Sequence, residues 1–170
     1  ESLESGSVIG TSSIRRRSQI LNFRSDLKIK LLRGNVDTRI KKLKNREYDA
    51  IILAYAGLKR LGMEREITEI LDQEILLPAG GQGTVGIQSK IKTHFREIFD
   101  KINNTQSEIT NIAERSFLET ISANCNSPVS VCAKIHNEYL NIQSQIFSHN
   151  GKIIFNESIS GEVKESKNIG

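Results

Sequence analysis

Residues 7–55 read SVIGTSSIRRRSQILNFRSDLKIKLLRGNVDTRIKKLKNREYDAIILAY, and the order of elements in this stretch decides the fold class. Ser7-Val8-Ile9 is a short apolar run of the kind buried inside a sheet. Gly10-Thr11-Ser12-Ser13 turns the chain and offers hydroxyls as helix caps, so a helix is expected from there through about Phe23. Leu27 to Leu32 alternates apolar and basic residues, which predicts a second strand. Arg33-Gly34-Asn35 turns into a helix over Val36 to Lys44, with Val36, Ile40 and Leu43 on one face. Asp49 to Tyr55 is nearly all apolar, as in a strand covered on both sides. Strand, helix, strand, helix, strand is the alternation of an α/β layer fold.

Toward the C-terminus the pattern changes. Met63, Ile67, Ile70 and Leu71 predict one more amphipathic helix, and Ile75 to Leu77 a short extended piece. Pro78-Ala79-Gly80-Gly81-Gln82-Gly83 then breaks the pattern and marks a domain boundary or hinge. Thr84 to Gln88 reads as a strand, and Ile91, Phe95, Ile98, Phe99 and Ile102 as a helical stripe. Thr105 and Glu108 are spaced as a capping box for a helix reaching about Ile121. From Val129 the apolar period becomes two, through Val131, Ala133 and Ile135 and on to Leu140, Ile142 and Ile146. Asn150-Gly151 has the composition of a type I′ hairpin turn before a last strand over Lys152 to Ile159. The fold class is therefore α/β, a βαβ domain followed by a small α+β domain made of a helix on an antiparallel sheet.

The 170 residues are enough to bury a core without disulfides, and no apolar run reaches the ~18 residues of a membrane span. The two cysteines lack the spacing of a zinc site and the three histidines are scattered, so no metal is expected. The first residue is Glu1 and the only methionine is Met63, as in a fragment, a processed product or a trimmed chain. Net charge is +4, but twelve of the 24 basic residues lie between Ile14 and Arg46 against two acids. Such a focus calls for an anionic partner.

Its spacing narrows the partner. Gly10-Thr11-Ser12-Ser13-Ile14-Arg15-Arg16 places hydroxyls, backbone N–H groups and two arginines at a helix N-terminus, where anions are favoured and cations are not. Arg33 follows one expected strand, Arg39 lies one turn into the next helix, and Arg60 follows the third strand. In a parallel sheet the carboxyl ends of the strands line one crevice, so Ser13, Arg15, Arg16, Arg33, Arg39 and Arg60 are expected to converge there as a carboxylate-binding set. Arg17, Lys28, Lys30, Lys41, Lys42 and Lys44 read as a solvated face. Aromatic residues make up 5% of the chain, too few to interleave with the cations as in a single-strand nucleic-acid binder. Gly81-Gln82-Gly83-Thr84-Val85-Gly86 matches the dinucleotide pattern, but it follows a Pro-Gly loop and leads into an extended stretch, so it reads as a hinge. Cys125, in the polar loop Ser122-Ala123-Asn124-Cys125-Asn126-Ser127-Pro128, reads equally as a small core residue and as a nucleophile or attachment point. Cys132, at alternating spacing in a strand, reads as structural.

GTSSIRRRSQ, LLRGNVDTRIKKL, YDAIILAYAGLKRLG and LPAGGQGTVGIQ, in that order, resemble hydroxymethylbilane synthase, also called porphobilinogen deaminase, and ERSFLETISANCNSPVS resembles that family's cofactor-attachment signature. The resemblance runs from about Ser7 to beyond Ser160. It implies three α/β domains, the first two like periplasmic binding proteins and the third carrying the cofactor cysteine. Residues 1–77 would be the second domain, 78–104 a hinge and return segment belonging to the first, and 105–170 the cofactor-attachment domain. Most of the first domain and the helix after Lys164 would be missing. The loop departs from the family pattern, with Ala123-Asn124 in place of a pair typically Gly-Gly, and Ser127 in place of a β-branched residue.

The resemblance further implies a cytoplasmic, monomeric transferase of tetrapyrrole (heme) biosynthesis that joins four porphobilinogen units. Each would lose ammonia to give an azafulvene attacked by the free α-carbon of the growing chain, and hydrolysis would release hydroxymethylbilane. The primer would be a dipyrromethane cofactor held through a thioether to Cys125. The growing chain would bring on the order of a dozen carboxylates into one cleft, which demands many cations. The proton-handling acid is expected ahead of Glu1, so no catalytic acid is assigned in this chain, and the chain alone is expected to be inactive. The other readings are a non-enzymatic anion- or nucleic-acid-binding module and a solute-binding protein.

Overall fold

β1 (Val8–Gly10) is the middle strand of a three-stranded parallel sheet in the order β2-β1-β3. The computed structural model describes residues 2–91 and 94–170. β2 (Lys28–Lys30) and β3 (Ala50–Ile51) flank β1, with Val8 opposite Lys28 and Ile9 opposite Ala50. Between them run α1 (Ile14–Phe23) and α2 (Val36–Lys44), where the sequence places helices. Ser13 caps α1, its Oγ accepting the Arg16 N–H at 3.3 Å. Asn35 caps α2, its Oδ1 accepting from the Thr38 N–H at 2.9 Å. Ile9, Ile20 and Leu27 form the buried core of this unit.

The strands are shorter than expected. Ile52 N–H still reaches Gly10 O (3.2 Å), but β1 ends there and offers no further partner. The apolar run expected as a strand to Tyr55 therefore turns, and Tyr55 opens α3 (Tyr55–Arg60) instead. The helix expected around Met63 to Leu71 is also absent. A 3₁₀ turn at Glu64–Glu66 gives way to irregular chain, and Ile70 stays exposed. A helix this short needs an apolar face to bury, and here Met63, Ile67 and Leu71 are only half-buried.

No strand forms over Thr84 to Gln88, whose Val85 and Ile87 are exposed, because neither sheet lends it an edge. The helical stripe survives as α4 (Arg96–Ile102), and its residues 92–93 lie outside the described ones. α5 (Thr105–Thr120) begins one residue away from the expected cap. Asn104, already extended, accepts the Ser107 N–H at 2.9 Å, while Glu108 takes the Asn103 Nδ2 at 2.6 Å and closes no box with Thr105.

The C-terminal meander follows the alternation read from the sequence. β4 (Val129–His136), β5 (Tyr139–Phe147) and β6 (Ile153–Glu162) pair antiparallel in that order. Val131, Ala133, Leu140 and Ile142 form one buried cluster with Ala113 of α5. The turn between β5 and β6 is not type I′, which needs two positive φ angles. Only Gly151 has one, and Ser148 accepts its N–H at 3.0 Å, closing a wider loop. A single helical turn, α6 (Ser166–Ile169), follows Lys164.

The first half of the segment read as a hinge lies half-buried against both units, while Gln82 and Gly83 are exposed. Leu77 is buried, Val131 N–H donates to Pro78 O at 3.2 Å, and a Cβ at Gly80 would stand 2.7 Å from Leu118 and 3.0 Å from Val131. Gly151 likewise presses on α1, where a Cβ would meet Ser18 O at 2.9 Å.

Candidate functional site

The N-terminus of α1 is a turn closed by its own hydroxyls. Thr11 Oγ1 accepts the Ser13 N–H at 3.2 Å, and Ser13 caps the helix from which Arg15 and Arg16 project. Arg15 is 6% exposed, yet both its hydrogen bonds go to neutral acceptors, Leu77 O and Gln82 Oε1 (3.3 Å). Burial, with Arg16 beside it, holds its pKa down to about 10. Arg16 donates to Ile52 O at 3.0 Å, and its buried Nε finds no partner. Burial and then Arg39 lower its pKa as well.

The expected convergence is met in part. Arg15, Arg16 and Arg39 are electrostatic neighbours, and Arg39 donates from Nε to Gly34 O at 2.7 Å. Arg33 is exposed in the loop beyond the carboxyl end of β2. Arg60 does not follow a strand, because it ends α3, and it is exposed. The ion pairs among the described residues are Arg24–Asp26, Lys44–Glu66, Arg96–Asp100, Arg115–Glu119 and Lys164–Glu162, and none of them engages these five arginines. An unpaired buried cation is costly unless an anion completes it. Arg15 and Arg16 also line a cavity of about 1280 Å³, whose walls mix apolar residues such as Ile9, Ile20 and Leu58 with the charged Arg24, Asp49, Glu66 and Glu69, none of these acids within ion-pair distance of either arginine. Ser13 faces a separate cavity of about 110 Å³ with Thr11, Ser12 and Arg17.

Cys125 is exposed and unpaired at the far end of α5. Its loop is held by Asn124 and Ser127, two of the three residues at which it departs from the pattern it resembles. Ser127 Oγ accepts the Asn124 N–H at 3.0 Å, while Asn124 accepts the Asn126 N–H on Oδ1 (2.8 Å) and the Ser127 N–H on its carbonyl (2.9 Å). Cys132 is half-buried on β4 beside Gln73 Oε1 (3.8 Å), and burial, with Glu114 nearby, pushes its thiol up and away from the reactive thiolate. The contacts of the Cys125 loop do not reach the arginines directly.

Three residues that the sequence reading passed over connect these parts. Gln19 is buried one turn after Arg15, and its Nε2 donates to Leu77 O (3.0 Å) and Ser130 Oγ (2.8 Å) while its Oε1 accepts the Leu77 N–H (2.7 Å). Glu114 is buried on α5 and accepts the Gly81 N–H at 2.6 Å and the Ala133 N–H at 2.8 Å. Burial raises its pKa against the pull of those two bonds. Gln82 was visible only as a member of the glycine-rich turn. The four-residue spacing of Arg15 and Gln19 on a helix was the available signal for the second.

A family model described as porphobilinogen deaminase, dipyromethane cofactor binding domain, matches residues 1–96, and one described as porphobilinogen deaminase, C-terminal domain, matches residues 109–170. A porphobilinogen deaminase of Geobacillus sp. (strain WCH70) is 44% identical over 166 residues, 96% of this chain and 53% of the relative. One of Clostridium acetobutylicum is 39% identical over 168 residues, 99% and 57%. One of Pelotomaculum thermopropionicum is 35% identical over 171 residues, 100% and 55%. The chain spans about half the length of the curated relatives it matches.

Proposed function

The chain belongs to the porphobilinogen deaminase family, and from that premise we propose that it supplies the carboxylate-binding arginines and the attachment thiol of an enzyme joining four porphobilinogen units, with loss of ammonia, into hydroxymethylbilane. The observation that carries this reading is the set of arginines without carboxylate partners, two of them drawn into the interior. No ion pair among the described residues neutralises them, and each pyrrole ring of the substrate carries two carboxylates that would.

The residues fit the family's dipyrromethane. An exposed free thiol, a buried guanidinium held by neutral acceptors and an orphan Arg16 Nε are what a sulfur-tethered polycarboxylate requires. In this reading Cys125 holds the group through a thioether, and Ser13, Arg15, Arg16, Arg33, Arg39 and Arg60 receive carboxylates of the group and of the growing chain. When bound, dipyrromethane supplies a free pyrrole α-carbon from which the chain grows. Arg15 and Arg16 do the orienting, since a buried guanidinium fixes a carboxylate in a plane where a solvated lysine would not. A thioether outlasts the hydrolysis that frees the product.

The same reading takes residues 1–77 as a domain like those of periplasmic binding proteins, 78–104 as the return segment and 105–170 as the attachment domain. It takes the enzyme as a cytoplasmic monomer without a nucleic-acid partner. Two free thiols suit a reducing compartment, and among the described residues no helix is long and apolar enough to cross a membrane.

Peptide mass spectrometry on the intact enzyme, made in cells that supply the precursor, tests the attachment. The Cys125 peptide should gain two porphobilinogen units less two ammonias, and Cys125→Ser should lose both adduct and activity. An adduct on Cys132, or an active serine variant, would overturn the reading.

A further inference from the structure

The arginine site and the Cys125 loop sit on different units, yet one short segment is bolted to both. Gln19, on α1, grips both backbone groups of Leu77 and donates as well to Ser130 Oγ, so one amide joins α1, the crossing chain and β4. Ser130 lies five residues beyond Cys125, at the start of the strand into which the loop runs. On the other side Glu114 joins the glycine turn to β4 through Gly81 N–H and Ala133 N–H, and α5, its helix, ends just ahead of the same loop. The segment clamped between these two side chains carries Leu77 O and Gln82 Oε1, the two acceptors of Arg15. Glycine at position 80 lets α5 and β4 close onto it.

We propose that Gln19 and Glu114 are positioning residues that hold Arg15 in register with the Cys125 loop by clamping residues 77–82 between the two units. The proposal rests on the reading of Arg15 as a carboxylate receptor and Cys125 as the attachment thiol. An anion that takes the guanidinium must compete with Leu77 O and Gln82, and any shift of that segment is passed through Ser130 and Glu114 to both ends of the Cys125 loop. This is a physical connection through named hydrogen bonds, so it has a measurable coupling.

The test uses the intact protein free of cofactor, with benzenehexacarboxylate as the anion. Calorimetry gives its affinity, and peptide mass spectrometry gives the rate at which iodoacetamide alkylates Cys125, with free N-acetylcysteine in the same mixture as the reference thiol. In the native protein, saturating anion should change the Cys125 rate by about fivefold, the lower end of ordinary coupling energies. In Gln19→Met and Glu114→Gln that change should vanish, while the anion still binds. Ser130→Ala removes a single oxygen of the link and should weaken the change in the same direction, which keeps the test sound should a larger change unfold the chain. A purely structural role would lower the melting temperature of the variants and leave the rate ratio intact. An unchanged ratio in all three, or no response of Cys125 in a native protein that binds the anion, would sink the proposal. Failure of the native protein to bind the anion at all would instead remove the carboxylate-site reading beneath it.

Discussion

Replacing Arg15 by methionine should make the free protein more stable and the enzyme inactive. The guanidinium is held at a pKa of about 10 against the ordinary 12.5, chiefly by burial. At about 1.4 kcal/mol per tenfold, its charged form is disfavoured in the fold by roughly 3 kcal/mol. Methionine fills the place of the aliphatic stem as far as Nε and carries no charge, so it relieves that cost. It forfeits the bonds to Leu77 O and Gln82 Oε1, about 1 kcal/mol each, and Leu77 O keeps its bond from Gln19. The balance favours the variant by about 1 kcal/mol, a rise of roughly 2–4 °C in Tm for a chain of this size.

Anion reverses the order. At one hundred times its Kd a polycarboxylate adds about 2.7 kcal/mol to the native protein and much less to the variant, whose site has lost its charged donor. The sign with pH follows from the direction of the shift. A base whose folded pKa lies below its unfolded value destabilises the fold fully below the folded pKa, and the cost fades as pH rises toward the unfolded one. The advantage of Arg15→Met should hold at neutral pH and shrink above about 10. Calorimetric melting of both proteins, with and without benzenehexacarboxylate, reads all of this. A free variant that melts several degrees below the native protein would show Arg15 to be a structural strut, and the argument would fail.

Other outcomes follow from single contacts. Asn104→Ala should cost about 1 kcal/mol by denaturant melting and Thr105→Ala within about 0.5, because the cap belongs to Asn104. Gly80→Ala should cost about 1–3 kcal/mol, since the added methyl would stand 2.7 Å from a Leu118 methyl and 3.0 Å from a Val131 methyl, so those side chains must shift. Arg33→Leu in the intact enzyme should cripple elongation in a porphobilinogen turnover assay while Lys42→Leu, which removes only a 3.3 Å bond to Arg33 O, should not. Equal losses from both would point to bulk charge rather than a site.

The elements most legible in the sequence are those whose signal is local. α2 begins and ends where Asn35 and the basic run Lys41 to Lys44 place it, and the meander keeps the two-residue period of Val129 to Ile135. Where the pattern failed, a partner was missing. Ile67, Ile70 and Leu71 repeat at helical spacing but Ile67 and Leu71 are only half-buried and Ile70 is exposed, and Thr84 to Gln88 has no strand to pair with. The arginines were legible as a class because twelve basic residues crowd one stretch. Which of them is buried was not, since the burial of Arg15 depends on Leu77 and Gln82, more than sixty residues away. Gln19 and Glu114 were invisible for the same reason, an amide and a carboxylate whose partners are backbone groups of distant segments.

The distribution of acids carries the functional argument one step further. Eighteen of the twenty acidic residues lie outside the basic stretch. The ion pairs among the described residues join exposed or half-buried partners at the surface, where such pairs contribute little. None serves the arginines whose burial makes a counter-charge most valuable. Position 19 is where a carboxylate would do most for Arg15, one turn along the same helix and already bonded to the carbonyl that Arg15 uses. Glutamine there accepts the Leu77 N–H and donates to Leu77 O and Ser130 Oγ, so the amide makes three bonds of the junction while adding no charge. Glutamate would lose both donations and neutralise the guanidinium at once. A neutral amide at this point is therefore what a fold needs if it is to lock two units together and still leave Arg15 short of a counterion, and that shortage is the binding energy available to an incoming carboxylate.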